Sequence, residues 1–156
     1  MSPDHFALSA AGVRMPRIIY GTAWKRDQTA ALVETAVRTG FRGIDTACQP
    51  RHYHEAGVGE GIAACVRAGI IAREDLYLQT KFSPVDAHDP QSIPYDPGAS
   101  LTDQVAQSLG CSLKNLQTSY VDGLILHSPL PSRPIASWPR LSARRANWPM
   151  IPATTV

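Results

Sequence analysis

The chain has 156 residues, and 44% of them are hydrophobic, which is ordinary for one globular domain. All 13 Asp and Glu residues precede residue 123, whereas four of the 15 Lys and Arg residues follow it, so the net charge of +2 arises in the C-terminal tail. This distribution predicts no nucleic-acid surface, and no apolar run reaches the length of about 18 residues that a membrane helix needs.

The cysteines and the N-terminus indicate the compartment. Three widely spaced cysteines without a C-x-x-C pair predict reduced thiols. Residues 1–11 lack the basic start and apolar core of a secretory signal. We therefore expect a cytoplasmic protein.

The first third of the chain predicts a hairpin, a strand and a helix. Residues 6–9 and 13–16 flank an Ala-Gly turn, which predicts a small β-hairpin. Residues 17–24 then predict a first main strand. Asp27 is the expected N-cap of a helix that Gly40 ends.

The pattern of strand followed by helix then repeats. Strands are predicted at 43–47, 76–82 and 121–127, and helices at 55–68 and 101–116. Prolines exclude a continuous helix at 83–99. Ser100 with Asp103 resembles a capping box, and the leucine-rich stripe of the last helix is expected to be core.

Strands alternating with helices predict a parallel sheet with right-handed crossovers. Functional groups of such sheets gather where the strands end. Polar residues stand at or near the ends of four successive strands, with a tyrosine in the loop after the second. They are Thr22, Asp45, Lys81, His127 and Tyr53. No Gly-rich phosphate loop follows any strand.

Several motifs carry a specific resemblance. They are G-T-A-W-K at 21–25, G-F-R-G-I-D-T-A at 40–47, the run to T-K at 73–81, and Y-V-D with L-H at 120–127. With them, the chain resembles the N-terminal half of an aldo-keto reductase, of the fungal type. The resemblance implies a parallel (β/α) barrel of TIM type, here about its first four βα units, over residues 1–130, followed by an irregular Pro/Arg-rich tail at 131–156.

The resemblance also implies a chemistry. Aldo-keto reductases use NADPH to reduce aldehydes and ketones, and their tetrad would correspond to Asp45, Tyr53, Lys81 and His127. Tyr53 would be the general acid, assisted by the positive charge of Lys81, which Asp45 would hold. His127 would bind the substrate carbonyl. Taken singly, the ionic residues would equally suit a structural ion pair.

Cofactor and substrate contacts follow from the same resemblance. Thr22, Ala23 and Asp45 would lie beside the nicotinamide ribose, and Trp24 would wall the substrate pocket. The family usually places its tyrosine five residues after the aspartate, whereas Tyr53 follows Asp45 by eight. A zinc site at Cys48, His52 and His54 would lack a fourth ligand, so no metal is expected.

The tail raises an alternative. Five prolines and four arginines without an acidic residue follow residue 130, which predicts disorder and a product truncated by a frame change or a retained intron. A half-barrel would leave its sheet open and favour self-association. The chain is thus either an oxidoreductase that is inactive alone, or a non-catalytic half-barrel that acts as an interaction module or has no function.

Overall fold

The computed structural model describes residues 5–10 and 12–128, so the predicted tail at 131–156 lies outside the described residues. Six strands are present: β1 (Phe6–Leu8), β2 (Arg14–Pro16), β3 (Tyr20–Gly21), β4 (Gly43–Asp45), β5 (Tyr77–Phe82) and β6 (Gly123–Leu126). The α-helices are α1 (Thr29–Arg38), α2 (Glu55–Arg67) and α3 (Leu101–Leu116). Short 3-10 helices form at Arg26–Gln28, Arg73–Asp75 and Val85–Ala87.

The two sheets have different architectures. β1 and β2 form an antiparallel pair, while the main sheet has the order β3-β4-β5-β6 with every pair parallel. Each neighbouring pair of main strands is joined through one α-helix, as right-handed βαβ units require. The parallel α/β prediction is confirmed, with four strands of the eight that close a TIM-type barrel. None of the helices in the described part of the chain combines the length and hydropathy needed to cross a bilayer.

The core lies between the main sheet and the helices. β5 shows how the sequence creates it, because its residues alternate between buried and half-buried. Leu78, Thr80 and Phe82 are buried on the helix side, and Gln79 and Lys81 lie on the opposite face. Each fully buried aliphatic side chain contributes about 1.5–3 kcal/mol. The central core residues are Val33, Val37, Ile44, Val58, Ile62, Leu78 and Leu116.

Gly59 allows α2 and α3 to approach each other closely. A Cβ atom at this position would overlap the carbonyl oxygen of Asn115 and lie 2.9 Å from the Cα atom of Leu116. Both obstacles are backbone atoms, which cannot move aside as a flexible side chain would. The absence of a side chain at residue 59 therefore sets the distance between the two helices.

The helix boundaries agree with the sequence pattern except at the start of α1. The prediction of Asp27 as the N-cap of α1 is wrong, because this residue lies inside the 3-10 turn. The helix begins at Thr29, and its N-cap residue, Gln28, makes no side-chain capping hydrogen bond. The hydroxyl of Thr29 instead donates to the carbonyl oxygen of Arg26 at 2.6 Å. Ser100 caps α3, because its Oγ accepts from the Asp103 amide at 3.2 Å. The expected capping box is only half formed, since the Asp103 carboxylate accepts from the Ser100 hydroxyl, at 2.6 Å, instead of from the Ser100 backbone amide.

The leucine stripe of α3 is buried less completely than the sequence predicts, since Val105, Leu109 and Leu113 are half-buried. Leu101 is 47% exposed, and the buried positions of this helix are Ser108, Ser112 and Leu116. Small serine side chains face the rest of the fold because α3 packs tightly against the glycine-bearing surface of α2. Only Leu116 of the predicted stripe is fully buried.

The helix contact predicts the effect of one substitution. Gly59→Ala should lower the free energy of unfolding by about 1–3 kcal/mol, since the added methyl group meets backbone on α3. Thermal unfolding followed by circular dichroism measures the change. The matched control is Gly110→Ala in α3, where a Cβ atom would meet nothing within 4 Å. That variant should be more stable by about 0.5–1 kcal/mol, and an equal effect of both would contradict the packing argument.

Candidate active site

The parallel register brings Asp45 and Lys81 together. Asp45 is the last residue of β4 and pairs with Gln79, and Lys81 lies two residues further along the same face of β5. Lys81 Nζ donates to Asp45 Oδ2 at 2.6 Å and to the carbonyl oxygen of Thr46 at 2.8 Å. The two side chains are only 12% and 20% exposed, so little water screens this ion pair.

Two further residues fix Asp45. Gln79 Nε2 donates to Asp45 Oδ1 at 2.6 Å, so each carboxylate oxygen has its own donor. Thr22, which is fully buried, donates its hydroxyl to the Asp45 carbonyl oxygen at 2.8 Å. Sequence reasoning missed Gln79, although its spacing of two residues from Lys81 on one strand was a sufficient signal.

Tyr53 reaches the pair from the loop that follows β4. The backbone of Gln49 forms a turn, accepting from the Tyr53 amide at 3.0 Å, and the Gln49 side chain anchors this turn to the Ala87 carbonyl oxygen at 2.7 Å. The Tyr53 ring centroid lies 4.8 Å from Lys81 Nζ. A cation at this distance interacts with the π-face of the ring.

His127 completes the group at the end of β6. Its ring lies 5.7 Å from the Tyr53 ring, edge-on, and its Nδ1 atom lies 2.8 Å from Ser83 Oγ. Burial, and next the charge of Lys81, lower the pKa of His127 below its usual value. The imidazole is therefore neutral at pH 7, with one nitrogen that donates and one that accepts.

Ser83 is a residue that sequence reasoning missed. It is fully buried, and its carbonyl oxygen accepts from the Tyr95 hydroxyl at 2.7 Å and from His88 Nε2 at 3.1 Å. Burial raises the pKa of Tyr95 to about 12, so its hydroxyl stays a donor. These contacts fix the serine that faces His127. No sequence motif indicates a role for Ser83, because its partners lie in the irregular loop at 83–99.

The residues predicted to contact cofactor and substrate lie beside this group. Thr22 is buried with its hydroxyl already used, Ala23 is half-buried, and Trp24 is 62% exposed. The Trp24 amide donates to the His52 carbonyl oxygen at 2.7 Å, and the two rings lie 4.1 Å apart. A cavity of about 390 Å³ opens between Trp24 and Tyr53.

The cysteines and histidines do not assemble a metal centre in the part of the chain that the structure describes, where no three His, Cys, Asp or Glu side chains are grouped suitably. Cys48 is buried within the loop that also carries Tyr53, and burial followed by the charge of Glu55 raises the pKa of its thiol. Glu55 itself accepts from Thr80 Oγ1 at 2.6 Å and Ser112 Oγ at 3.0 Å.

Comparison with solved structures shows the same fold in longer chains. An aldo-keto reductase of Bombyx mori, solved in complex with NADP, superposes with a TM-score of 0.66 and 27% identity over 83% of this chain and 39% of that one. An aldo/keto reductase of Brucella melitensis gives a TM-score of 0.63 and 30% identity over 81% and 42%.

Sequence comparison gives the same result. Deoxymugineic acid synthase 1-A of Triticum aestivum is 38% identical over 131 residues, and NADPH-dependent codeinone reductase 1-4 of Papaver somniferum is 31% identical over 132 residues. The matches cover 81% and 80% of this chain but only 36% of each relative. Residues 17–147 match the family model of the aldo/keto reductases, past the predicted boundary at residue 130. The chain therefore belongs to the aldo/keto reductase family.

Proposed function

We propose that this chain carries the proton-transfer site of an NADPH-dependent oxidoreductase that reduces aldehydes or ketones to alcohols. The observation that carries the proposal is the position of the Lys81 ammonium, 2.6 Å from the Asp45 carboxylate and 4.8 Å from the centre of the Tyr53 ring. A largely buried ion pair beside a phenol suits acid–base chemistry better than an ion pair on the surface would. Family membership supports the general reaction class.

In the proposed reaction, Tyr53 Oη donates its proton to the carbonyl oxygen as that oxygen gains charge. Lys81 stabilises the phenolate that remains, and Asp45 and the Thr46 carbonyl oxygen hold Lys81 in place. The mechanism uses the Nε2–H tautomer of His127, in which Nδ1 accepts from Ser83 Oγ and Nε2–H is free to hold the carbonyl oxygen. When bound, NADPH supplies the hydride that the carbonyl carbon accepts.

The residues at the strand ends fit the sugar next to the nicotinamide. Asp45 keeps free lone pairs on both oxygens and is 20% exposed, so it can accept a bond from a ribose hydroxyl. Trp24 presents an exposed aromatic face beside it. We keep Thr22 and Ala23 as proposed neighbours of the ribose, with the Thr22 hydroxyl positioning Asp45 rather than contacting the cofactor.

Location and domain limits are part of the same proposal. Cys48, Cys65 and Cys111 are all free thiols, which is typical of a reducing compartment and supports a cytoplasmic location. We propose that residues 1–130 form the barrel segment and that residues 131–156 form an irregular Pro/Arg-rich tail, the first part of which, to residue 147, still matches the family model.

The role of Tyr53 is tested in a completed barrel, because this chain spans about 36% of the length of its relatives. The polypeptide of 156 residues should reduce aldehydes very slowly. A chimera joining residues 1–128 to the remaining βα units of the Bombyx mori relative should turn over NADPH and an aromatic aldehyde. In that chimera, Tyr53→Phe should lower kcat about 100-fold or more, the contribution expected of a general acid.

Tyr120→Phe is the matched control for this substitution. Tyr120 is a half-exposed tyrosine whose ring contacts the Arg73 guanidinium at 4.0 Å, a contact that phenylalanine preserves. Its kcat should stay within about twofold of the parent chimera. Fluorescence titration should show equal NADPH affinity for both variants. Unchanged turnover in Tyr53→Phe would contradict the assignment of the general acid.

The neutral state of His127 predicts how stability depends on pH. The pKa of His127 is lowered in the folded chain, while an unfolded histidine titrates near 6.5, so the unfolded state binds protons first. The free energy of unfolding should be constant above about pH 7 and fall as the pH drops below 6.5. Burial also lowers the pKa of His88, which adds to the same slope.

Urea unfolding between pH 5.5 and 7.5 measures this dependence. His127→Asn and His88→Asn should each flatten the slope, and the double variant should flatten it most. His5→Asn is the control, because His5 is exposed near the N-terminus. A slope that both single variants leave intact would show that these imidazoles are not the groups responsible.

The second candidate function is an interaction module, favoured by one observation on β6. Among the residues described, β6 pairs on one side only, with β5, and it exposes three consecutive apolar side chains. Leu124, Ile125 and Leu126 are 43%, 38% and 54% exposed. An open apolar edge strand is a template for pairing with another chain. We propose that a second copy of the 156-residue polypeptide pairs there when no longer form is present.

Sedimentation velocity tests this self-association. The polypeptide should sediment as a dimer or larger species at micromolar concentration. Leu126→Lys should shift it toward monomer, because an edge lysine opposes strand pairing. Leu8→Lys is the control, since Leu8 is 73% exposed on the other sheet. A monomer at about 100 µM would exclude this second function.

A further inference from the structure

The cavity beside Tyr53 has an aromatic wall on a tightly held loop. The rings of Trp24 and His52 lie 4.1 Å apart with an angle of 39° between their planes. Two hydrogen bonds tie the loop after β3 to the loop after β4. The Trp24 amide donates to the His52 carbonyl oxygen at 2.7 Å, and His54 Nδ1 donates to the Arg26 carbonyl oxygen at 3.1 Å.

The charges around this cavity are mainly positive. The exposed side chains of Arg26 and Arg51 both line it, against one carboxylate, Asp27. Within residues 5–10 and 12–128, neither guanidinium forms an ion pair. Two described guanidinium groups without an ion-pair partner beside an aromatic wall form a site that suits a planar anion, because guanidinium pairs with carboxylate through two parallel hydrogen bonds.

The backbone here adopts a conformation that needs an explanation. Trp24 and Arg26 have φ values of +62° and +51°, in the left-handed region that residues other than glycine rarely enter. Such conformations persist where the surrounding contacts enforce them, and they cluster at ligand-binding sites. In this loop both residues line the same cavity.

We propose that this cavity is the subsite for a carboxylate on the substrate, so that the protein acts on planar carbonyl compounds that also carry an acidic group. The inference rests on the proposed function, because it is Tyr53, on the cavity wall, that would face the carbonyl end. Trp24 and His52 contact the flat body of the substrate, and Arg26 and Arg51 bind its carboxylate. An analogue whose carboxylate is replaced by a neutral group would lose the contacts with Arg26 and Arg51 and keep those with Trp24 and His52.

Binding to the chain of 156 residues tests the subsite without requiring turnover. The probes are 3- and 4-carboxybenzaldehyde and their methyl esters, titrated by NMR while the Trp24 indole resonance, assigned with Trp24→Phe, is followed. At least one acid should bind about tenfold more tightly than its ester. Arg51→Gln and Arg26→Gln should each reduce this preference about threefold, and the double variant should remove it. Raising the salt concentration to 0.5 M should weaken the preference in the parent chain.

Arg67→Gln is the matched control, since Arg67 is an exposed arginine in the last turn of α2, away from the cavity. It should leave the preference unchanged. Equal binding of acids and esters, no binding of either, or a preference insensitive to both arginines would overturn the proposal. None of these binding results depends on turnover. A failure of the proposed subsite would therefore not affect the test of Tyr53 as the general acid.

Discussion

The ion pair between Lys81 and Asp45 is the interaction on which the arrangement of the site depends. It joins the ends of two neighbouring parallel strands at 2.6 Å, and both side chains are largely withdrawn from water. An unpaired charge in this position would be costly, so each residue requires the other. The pair also determines what surrounds it: Gln79 and Thr22 contact Asp45, and the ring of Tyr53 lies over Lys81. The ion pair that positions Lys81 for proton transfer in the proposed reaction therefore also connects two strands of the fold.

Much of the fold was predictable because its signals are local. Alternating apolar residues identified the strands, and the helix predicted at 55–68 ends within one residue of that limit, before Gly69 with its φ of +67°. The start of α1 was not predictable from Asp27, because a 3-10 turn at Arg26–Gln28 precedes the helix. The buried face of α3 depends on what α2 offers it. Ser112 is buried because Gly59 admits close contact and Glu55 accepts its hydroxyl, and neither fact is visible within α3.

The candidate site was predictable to the same degree. Asp45, Lys81 and His127 stand at strand ends, which a parallel sheet places together, and their positions followed from the order of elements alone. Gln79 followed from the same strand but was overlooked. Ser83 could not be predicted from the sequence, because the residues that hold it, Tyr95 and His88, lie in a proline-rich loop without periodicity. Tyr53 follows Asp45 by more residues than the family pattern predicts, and the turn between Gln49 and Tyr53 accommodates the additional loop residues.

The alternation of β5 has a consequence for how this protein tolerates insertions and deletions. Gln79 and Lys81 face the site, while Leu78 and Thr80 face the helices. Gain or loss of one residue within β5 would exchange the two faces, burying an ammonium and exposing leucine, and would remove the site and part of the core together. Length changes in the loops before and after the strand leave this parity untouched. Natural variation in chain length should therefore be concentrated at 83–99 and excluded from the six residues of β5.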